Sequence, residues 1–563
     1  MNSTLPLHAV RRSNSQPSSL PRTLSSAAMA WVLGLLALGL LPGRAPAREK
    51  TPEPRDPRIQ VRLVTTVSDP SHPCRIAKDP RNNTLYYLTL GGGIYRVGLR
   101  PGDGLSTTTL VADSRDHGET NAMGFAIDRA GTFYLVGNHV VAGSNAFTFA
   151  RILRGTERAG GASGRQWSVV ARTEDYARSQ GAYDHLFNGV EVSPDGALLY
   201  VNSGSRTDHG EVQEAQGAFP GLREDPLTSL ILRIPANSTD LVLPRDRGAL
   251  KAAGWVYCEG VRNTYDLRFS PQGELFGPDN GPDRSVSDEL NWLQEGHHYG
   301  FPWRMGGADN PQQFSGYDPA GDKLLDVRFG AVKAGEYRND PTFPPSPGGM
   351  TEPILNRGPD ADKYRDPADG KVKDASDTGV PIATFTAHRS PLGLVFDETG
   401  SMAAPYTGSA FVMSFMAGDE TGETAAGPFL DGSNDLLHLQ LHRVGDRYET
   451  EVHRLVTGLG YPVDAEVIEN RIYVICYGFE SSLWEITLPS SRVVALGEAS
   501  WNSAGFGFHL NASGPGPVSM QTSSNLLDWT PLWDLELPSG TTFFLDGAAS
   551  PASPARFYRT LSR

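Results

Sequence analysis

A chain of 563 residues that is 39% hydrophobic can bury one large core and still carry a small appended module. Its formal net charge of −14, from 64 acidic against 50 basic residues, comes with no Lys/Arg patch and so excludes a nucleic-acid partner. Three cysteines, Cys74, Cys258 and Cys476, form no C-x-x-C or C-x-x-C-H motif, which excludes a zinc ribbon, a thioredoxin-like site and a haem c attachment, and allows at most one disulfide.

Met1 to Leu24 is polar and carries Arg11, Arg12 and Arg22; an apolar run from Ala27 to Leu41 follows, then Ala45-Pro46-Ala47. This order predicts a signal peptide over 1–47, cleaved after Ala47, and an exported protein, periplasmic or extracellular. The apolar run is shorter than the roughly 20 residues a membrane-spanning helix needs, so no stable span is expected after cleavage.

With 62 Gly and 42 Pro and no long helical periodicity, residues 60–490 read as all-β. Six times the chain gives a strand, a turn with Asp, Asn or Gly, and a further strand pattern. The units start at Ile76, Phe125, Val190, Leu267, Leu394 and Ala465. Such a unit cannot bury both faces of its sheet alone, and stacking copies into a ring protects the sheet edges, which predicts a six-bladed β-propeller. Uneven spacing leaves seven or eight blades open. The largest insertion, about Phe301 to Val380, is rich in Pro, Gly and Asp and reads as a long loop. It holds Asp360, Asp362, Asp366, Asp369, Asp374 and Asp377, whose spacing does not match an EF-hand. Residues 498–563 predict a small C-terminal β-sandwich, with Trp529 and Trp533 as core or edge aromatics.

The polar chemistry concentrates between residues 185 and 302. His185 stands nine residues before Pro194 of a turn (185 to 194), and an imidazole can accept a proton at neutral pH without carrying permanent charge. Arg262-Asn263 offers planar N–H donors suited to carboxylate and carbonyl oxygens. Gly281-Pro282, Asp288-Glu289 and Tyr299-Gly-Phe-Pro302 follow in order. Each has a plain structural alternative: a satisfied loop histidine, an arginine paired to Asp266 or Asp283, a tight turn, a cap. His388 opens the fifth unit, either facing the central channel or stabilising a turn.

Taken together, these motifs resemble the soluble quinoprotein glucose/sorbosone dehydrogenase family, β-propellers that carry pyrroloquinoline quinone (PQQ). The resemblance implies a PQQ-dependent oxidoreductase acting on a sugar or polyhydroxy alcohol, with a separate electron acceptor. It implies His185 as general base and Arg262 and Asn263 as cofactor contacts. It places Gly281 and Pro282 at the calcium that bridges to PQQ, and Asp288, Glu289 and the Tyr299 carbonyl in a further calcium region.

Three departures stand against it. Where the family's glucose-oxidising members carry a Gly-Asp pair that orients the base, this chain reads Ser203-Gly204-Ser205-Arg206, with Asp208 and Glu211 as out-of-register substitutes. Met416, with Asp419 and Glu420 beyond it, stands in place of a PQQ-pairing lysine, and no arginine lies near Gly460 to Asp464. The competing reading is a catalytically silent propeller that binds a glycan or protein, as a hedgehog-interacting protein of animals does with this propeller family. A lactonase-type hydrolase would need acids converging regularly on a central ion, and the six units show none.

Overall fold

The computed structural model describes residues 51–562 apart from Pro101, Asp103, 159–163, Gln180, Ala182, 416–426, 479–480 and 553–554. The predicted signal peptide and the positions Met416, Asp419 and Glu420 lie outside the described residues.

The chain is nearly all strand. Each of the six units supplies the first strand of its own sheet. These inner strands are β1 (Pro73–Asp79), β2 (Ala122–Ile127), β3 (Phe187–Val192), β4 (Arg268–Phe269), β5 (Pro391–Phe396) and β6 (Pro462–Ile468). Strand β1 packs on β2 and β6, β2 on β3, and β4 and β6 on β5. At the β3–β4 junction the chains approach so closely that a Cβ on Gly189 would lie 2.7 Å from the Tyr265 carbonyl oxygen. The inner strands therefore close a ring, the β-propeller arrangement. Tight turns return each inner strand to its neighbour. In Ser193-Pro194-Asp195-Gly196 the Gly196 N–H donates to Ser193 O at 2.8 Å, and glycine adopts the φ of 75° that the turn requires.

The last sheet is completed from the start of the chain. Strand Gln60–Thr66 pairs antiparallel with Ser482–Thr487, so the first and last strands of the propeller share one sheet.

A buried arginine blocks the middle of the ring. The Arg75 Nε donates to Met123 O at 2.8 Å, and its guanidinium lies 3.6 Å from the Tyr265 ring centroid and 3.8 Å from Asp266. Asp266 and Asp464 each accept a backbone N–H from the next sheet, those of Leu394 at 2.8 Å and Ile76 at 2.9 Å, so inner-strand carboxylates tie adjacent sheets together. Below this layer the inner turns line a cavity of about 430 Å³. His185, which precedes β3, lies at the opposite end.

The 301–380 insertion differs from the long loop expected. Its strand Leu355–Pro359 joins the fifth sheet alongside Arg447–Thr457, and Lys363–Arg365 forms a hairpin with Val372–Asp374. Hydrogen bonds and ion pairs occupy four of its acids: Asp360 accepts Arg454 N, Asp362 accepts Ser376 N, Asp366 pairs with Lys373, and Asp374 caps Ala375–Thr378. Composition suggested a loop because the segment has no period. It is held by tertiary contacts instead.

All three cysteines are buried. No helix among the described residues is long and apolar enough to cross a membrane. Residues 494–562 form two three-stranded sheets with Phe508, Leu510, Val518, Met520 and Leu537 between them. Trp533 packs on Phe544, and Trp529 lies under the Arg559 guanidinium.

Candidate functional site

The polar residues at the His185 end are assembled by backbone pairing at the entries of β3 and β4. Past Ser203 the ladder between β3 and its neighbour continues: Gly204 N donates to Leu186 O at 2.8 Å and His185 N to Ser205 O at 2.9 Å. A Cβ on Gly204 would lie 2.5 Å from the His185 Cβ, so only glycine permits this approach. Ser205 N in turn donates to Arg262 O at 2.7 Å. One residue thus bridges the two positions singled out in the sequence, His185 and Arg262. The nearby Arg262 charge adds to burial in pushing the His185 imidazole down to about 3.

Asp279 holds the Arg262-Asn263 pair by accepting both backbone N–H groups. The Asn263 side-chain oxygen accepts from Asn188 Nδ2 at 3.1 Å, and its own Nδ2 carries no hydrogen bond among the described residues. The Arg262 guanidinium is anchored on its inner side. Its Nε donates to Asp208 O at 2.7 Å, Nη2 to Asp208 Oδ1 at 2.8 Å, and Nη1 to Asn280 O at 3.0 Å. The ion-pair partner of Arg262 is therefore Asp208; Asp266 serves Arg75 instead, and Asp283 reaches Asp208 through its backbone N–H.

Asp208 is a wholly buried hub. It also accepts His209 Nδ1 at 2.8 Å, the Tyr337 hydroxyl at 3.0 Å and Asp283 N at 3.1 Å. Burial pushes its carboxyl up, but the His209 hydrogen bond and the Arg262 charge hold it below the ordinary carboxylate range. Burial and the Asp208 charge raise Asp283 to about 6. Asp208 does not take the place of an orienting carboxylate on His185, as it faces Arg262. Glu211 accepts the backbone N–H groups of Asp208 and His209 and so shapes the same loop.

A strap from the insertion covers this hub. Tyr337 stacks on His209 with ring centroids 3.8 Å apart. The short helix α1 (Gly330–Lys333) places Ala331 N 2.7 Å from Asp283 Oδ2, while the Tyr183 hydroxyl donates to the same oxygen. Gly330 permits the contact: a Cβ there would lie 2.7 Å from the Tyr183 hydroxyl oxygen. His388 stacks on Phe329 at 3.8 Å, with Nε2 3.3 Å from Ser285 Oγ, so it faces the strap.

The remaining predicted residues divide. Asp288 lies beside Gly281, accepting its N–H at 2.7 Å and that of Ser390 at 3.0 Å, and Pro282 is buried in the same turn. Glu289 is directed elsewhere, its oxygens accepting Gly306 N at 2.6 Å and Asn291 Nδ2 at 2.9 Å. The Tyr299 ring is buried, its hydroxyl donating to Trp292 O at 2.6 Å. Sequence reading missed Tyr183, Asn188, Tyr337 and the role of Ser205. The usable signal was the run Ser205-Arg206-Thr207-Asp208-His209, five polar residues that are all fully buried.

Burial, with the Asp279 charge, raises Glu289 from 4.5 to about 8. Its folded-state value lies above that of the unfolded chain, so its contribution to stability is complete below about pH 4 and lost as the pH climbs through 8. Glu289→Gln is expected to abolish that part of the decline. Melting temperatures at pH 5 and pH 8 check this, and an equal drop in both proteins counts against a neutral carboxyl.

The Glucose / Sorbosone dehydrogenase family model matches residues 125–322, a span that contains His185, Asp208, Arg262, Asp283 and Asp288. No curated protein matches the chain. Among solved structures, a glucose dehydrogenase is similar at 15% identity, covering 76% of this chain and 98% of its own, with a TM-score of 0.48. The apo form of the soluble aldose sugar dehydrogenase from Escherichia coli shares 14% identity over 76% of this chain and 99% of its own, with a TM-score of 0.47. The holo form of the pyranose dehydrogenase PQQ domain from Coprinopsis cinerea shares 12% over 79% and 99%, also with a TM-score of 0.47.

Proposed function

We propose that this chain, whose residues 125–322 match the Glucose / Sorbosone dehydrogenase family, is an exported oxidoreductase that uses PQQ to oxidise a sugar or similar polyhydroxy alcohol. The observation that carries this reading is the bridge through Ser205, which joins the backbones of His185 and Arg262 at one end of the ring, with the Arg262 charge near enough to help burial keep the imidazole neutral.

The donor set suits PQQ. Arg262 keeps N–H bonds beyond those tied to Asp208 and Asn280, and the Asn263 Nδ2 has no partner among the described residues; both match the carboxylate and carbonyl oxygens of the quinone. When bound, PQQ supplies the acceptor for the hydride leaving the substrate carbon. His185 Nε2 takes the proton of the hydroxyl being oxidised, Arg262 and Asn263 hold oxygens in place, and the Tyr337 strap limits water. The electrons taken up would pass on to a separate acceptor.

Calcium fits less well as a carboxylate site. Asp288 serves two backbone amides, Glu289 is a neutral acid at pH 7 turned toward Gly306, and no group of three or more His, Cys, Asp or Glu gathers among the described residues.

The binding-module reading draws on one observation: a serine, not a carboxylate, contacts His185 Nδ1. Titration of the mature protein with PQQ, with and without calcium, separates the two. The dehydrogenase reading expects saturable quinone binding and dye reduction with aldoses. Absence of quinone binding in both arms would leave the binding module standing.

A further inference from the structure

Resting on the reading of His185 as the base, we infer that Ser205 is the positioning residue that fixes its tautomer, with the Thr207 carbonyl as the group that orients Ser205. The argument is one of hydrogen counting. His185 Nδ1 lies 3.1 Å from the Ser205 carbonyl oxygen and 3.1 Å from its Oγ. The carbonyl can only accept. The hydroxyl could donate, but its single hydrogen already goes to Thr207 O at 2.8 Å. Both neighbours of Nδ1 are therefore acceptors, so Nδ1 carries the proton and Nε2 presents a lone pair.

That lone pair has no hydrogen-bond partner among the described residues, so it is the group left for a substrate hydroxyl. Ser205 itself is wholly buried, with its N–H on Arg262 O and its carbonyl also receiving the His185 N–H. Backbone and side chain thus set the imidazole's position and its protonation pattern through the same residue. The arrangement is a neutral version of the orientation a carboxylate would give: it selects the tautomer, as an acceptor on Nδ1 must, but adds no negative charge beside the imidazolium formed when the proton arrives. Substrate oxidation then depends on that proton passing on rather than resting on His185.

The test joins a spectroscopic readout to kinetics. In the full mature protein labelled with 15N-histidine, the His185 signals are assigned by their loss in His185→Gln, and the tautomer is read without cofactor. The wild type is expected to be protonated at Nδ1. Ser205→Ala, which keeps the carbonyl but loses the second acceptor on Nδ1, is expected to raise the Nε2–H population partially and lower kcat roughly five- to tenfold at unchanged KM, the loss of one orienting hydrogen bond. Ser205→Thr, which keeps the hydroxyl, is expected to restore both. A wild-type ring protonated at Nε2 overturns the proposal even if Ser205→Ala fails to fold; so does a folded alanine variant with the wild-type tautomer and kcat. Full activity in His185→Gln would instead remove the base reading, while the tautomer measurement still decides the role of Ser205.

Discussion

Exchanging Asp208 for alanine is expected to lower the unfolding free energy by about 3–5 kcal/mol, because it strands the buried Arg262 charge. The carboxylate is fully enclosed and receives Arg262, His209, Tyr337 and the Asp283 backbone together. Removing it takes away the direct ion-pair partner of Arg262, leaving the guanidinium to the more distant Asp283 and Asp279 charges, and the strap loses its Tyr337 bond at the same time. Urea denaturation checks the magnitude. A double variant, Asp208→Ala with Arg262→Met, is expected to recover much of the loss, since no charge is then left unpaired. A single-variant loss below about 1 kcal/mol, the worth of one ordinary hydrogen bond, would refute the hub.

The second large effect is chemical. His185→Gln is expected to reduce kcat of the PQQ-reconstituted protein about 10²- to 10⁴-fold, the range of a positioned base. A mostly buried side chain whose only hydrogen bonds go to Ser205 should leave stability within about 1 kcal/mol when glutamine fills the same space. With its folded-state value depressed to about 3, the imidazole is neutral from about pH 4 upward, so kcat/KM should show no acid limb from this group between pH 4 and 8. The linked stability has a matching sign: it is present above the unfolded-state value of 6.5 and lost as the pH falls toward 3, a loss that the glutamine variant should lack. An acid limb near pH 6.5 that disappears in the variant would show an imidazole far more solvated than the structure has it.

The six inner strands were legible because each short run leads into a turn such as Ser193-Pro194-Asp195-Gly196, a signal contained in a dozen residues. His185 and Arg262 were legible through motif register. The rest depended on distance in sequence. Asp208 and Arg262 are 54 residues apart, and no local pattern selects that pair over Asp266 or Asp283. Asp288 and Glu289 looked like one ligand pair, yet adjacent residues of an extended chain point to opposite faces, so only Asp288 reaches Gly281. The strap gave no period at all; its order comes from Tyr337 and Gly330 meeting partners on other loops.

The strand that completes the last sheet also sets the sequence of events during folding. Arg62 bonds Glu485 across 423 residues, so Gln60–Thr66 is made long before the strand that pairs with it, which follows only when nearly the whole ring has been synthesised. Joining ends that far apart costs about 5 kcal/mol of chain entropy, which only a nearly finished ring can repay. Any shortened product that stops before Ser482 leaves that first strand with a bare edge, available to a neighbouring molecule. Completion and protection against self-association are the same event in this protein.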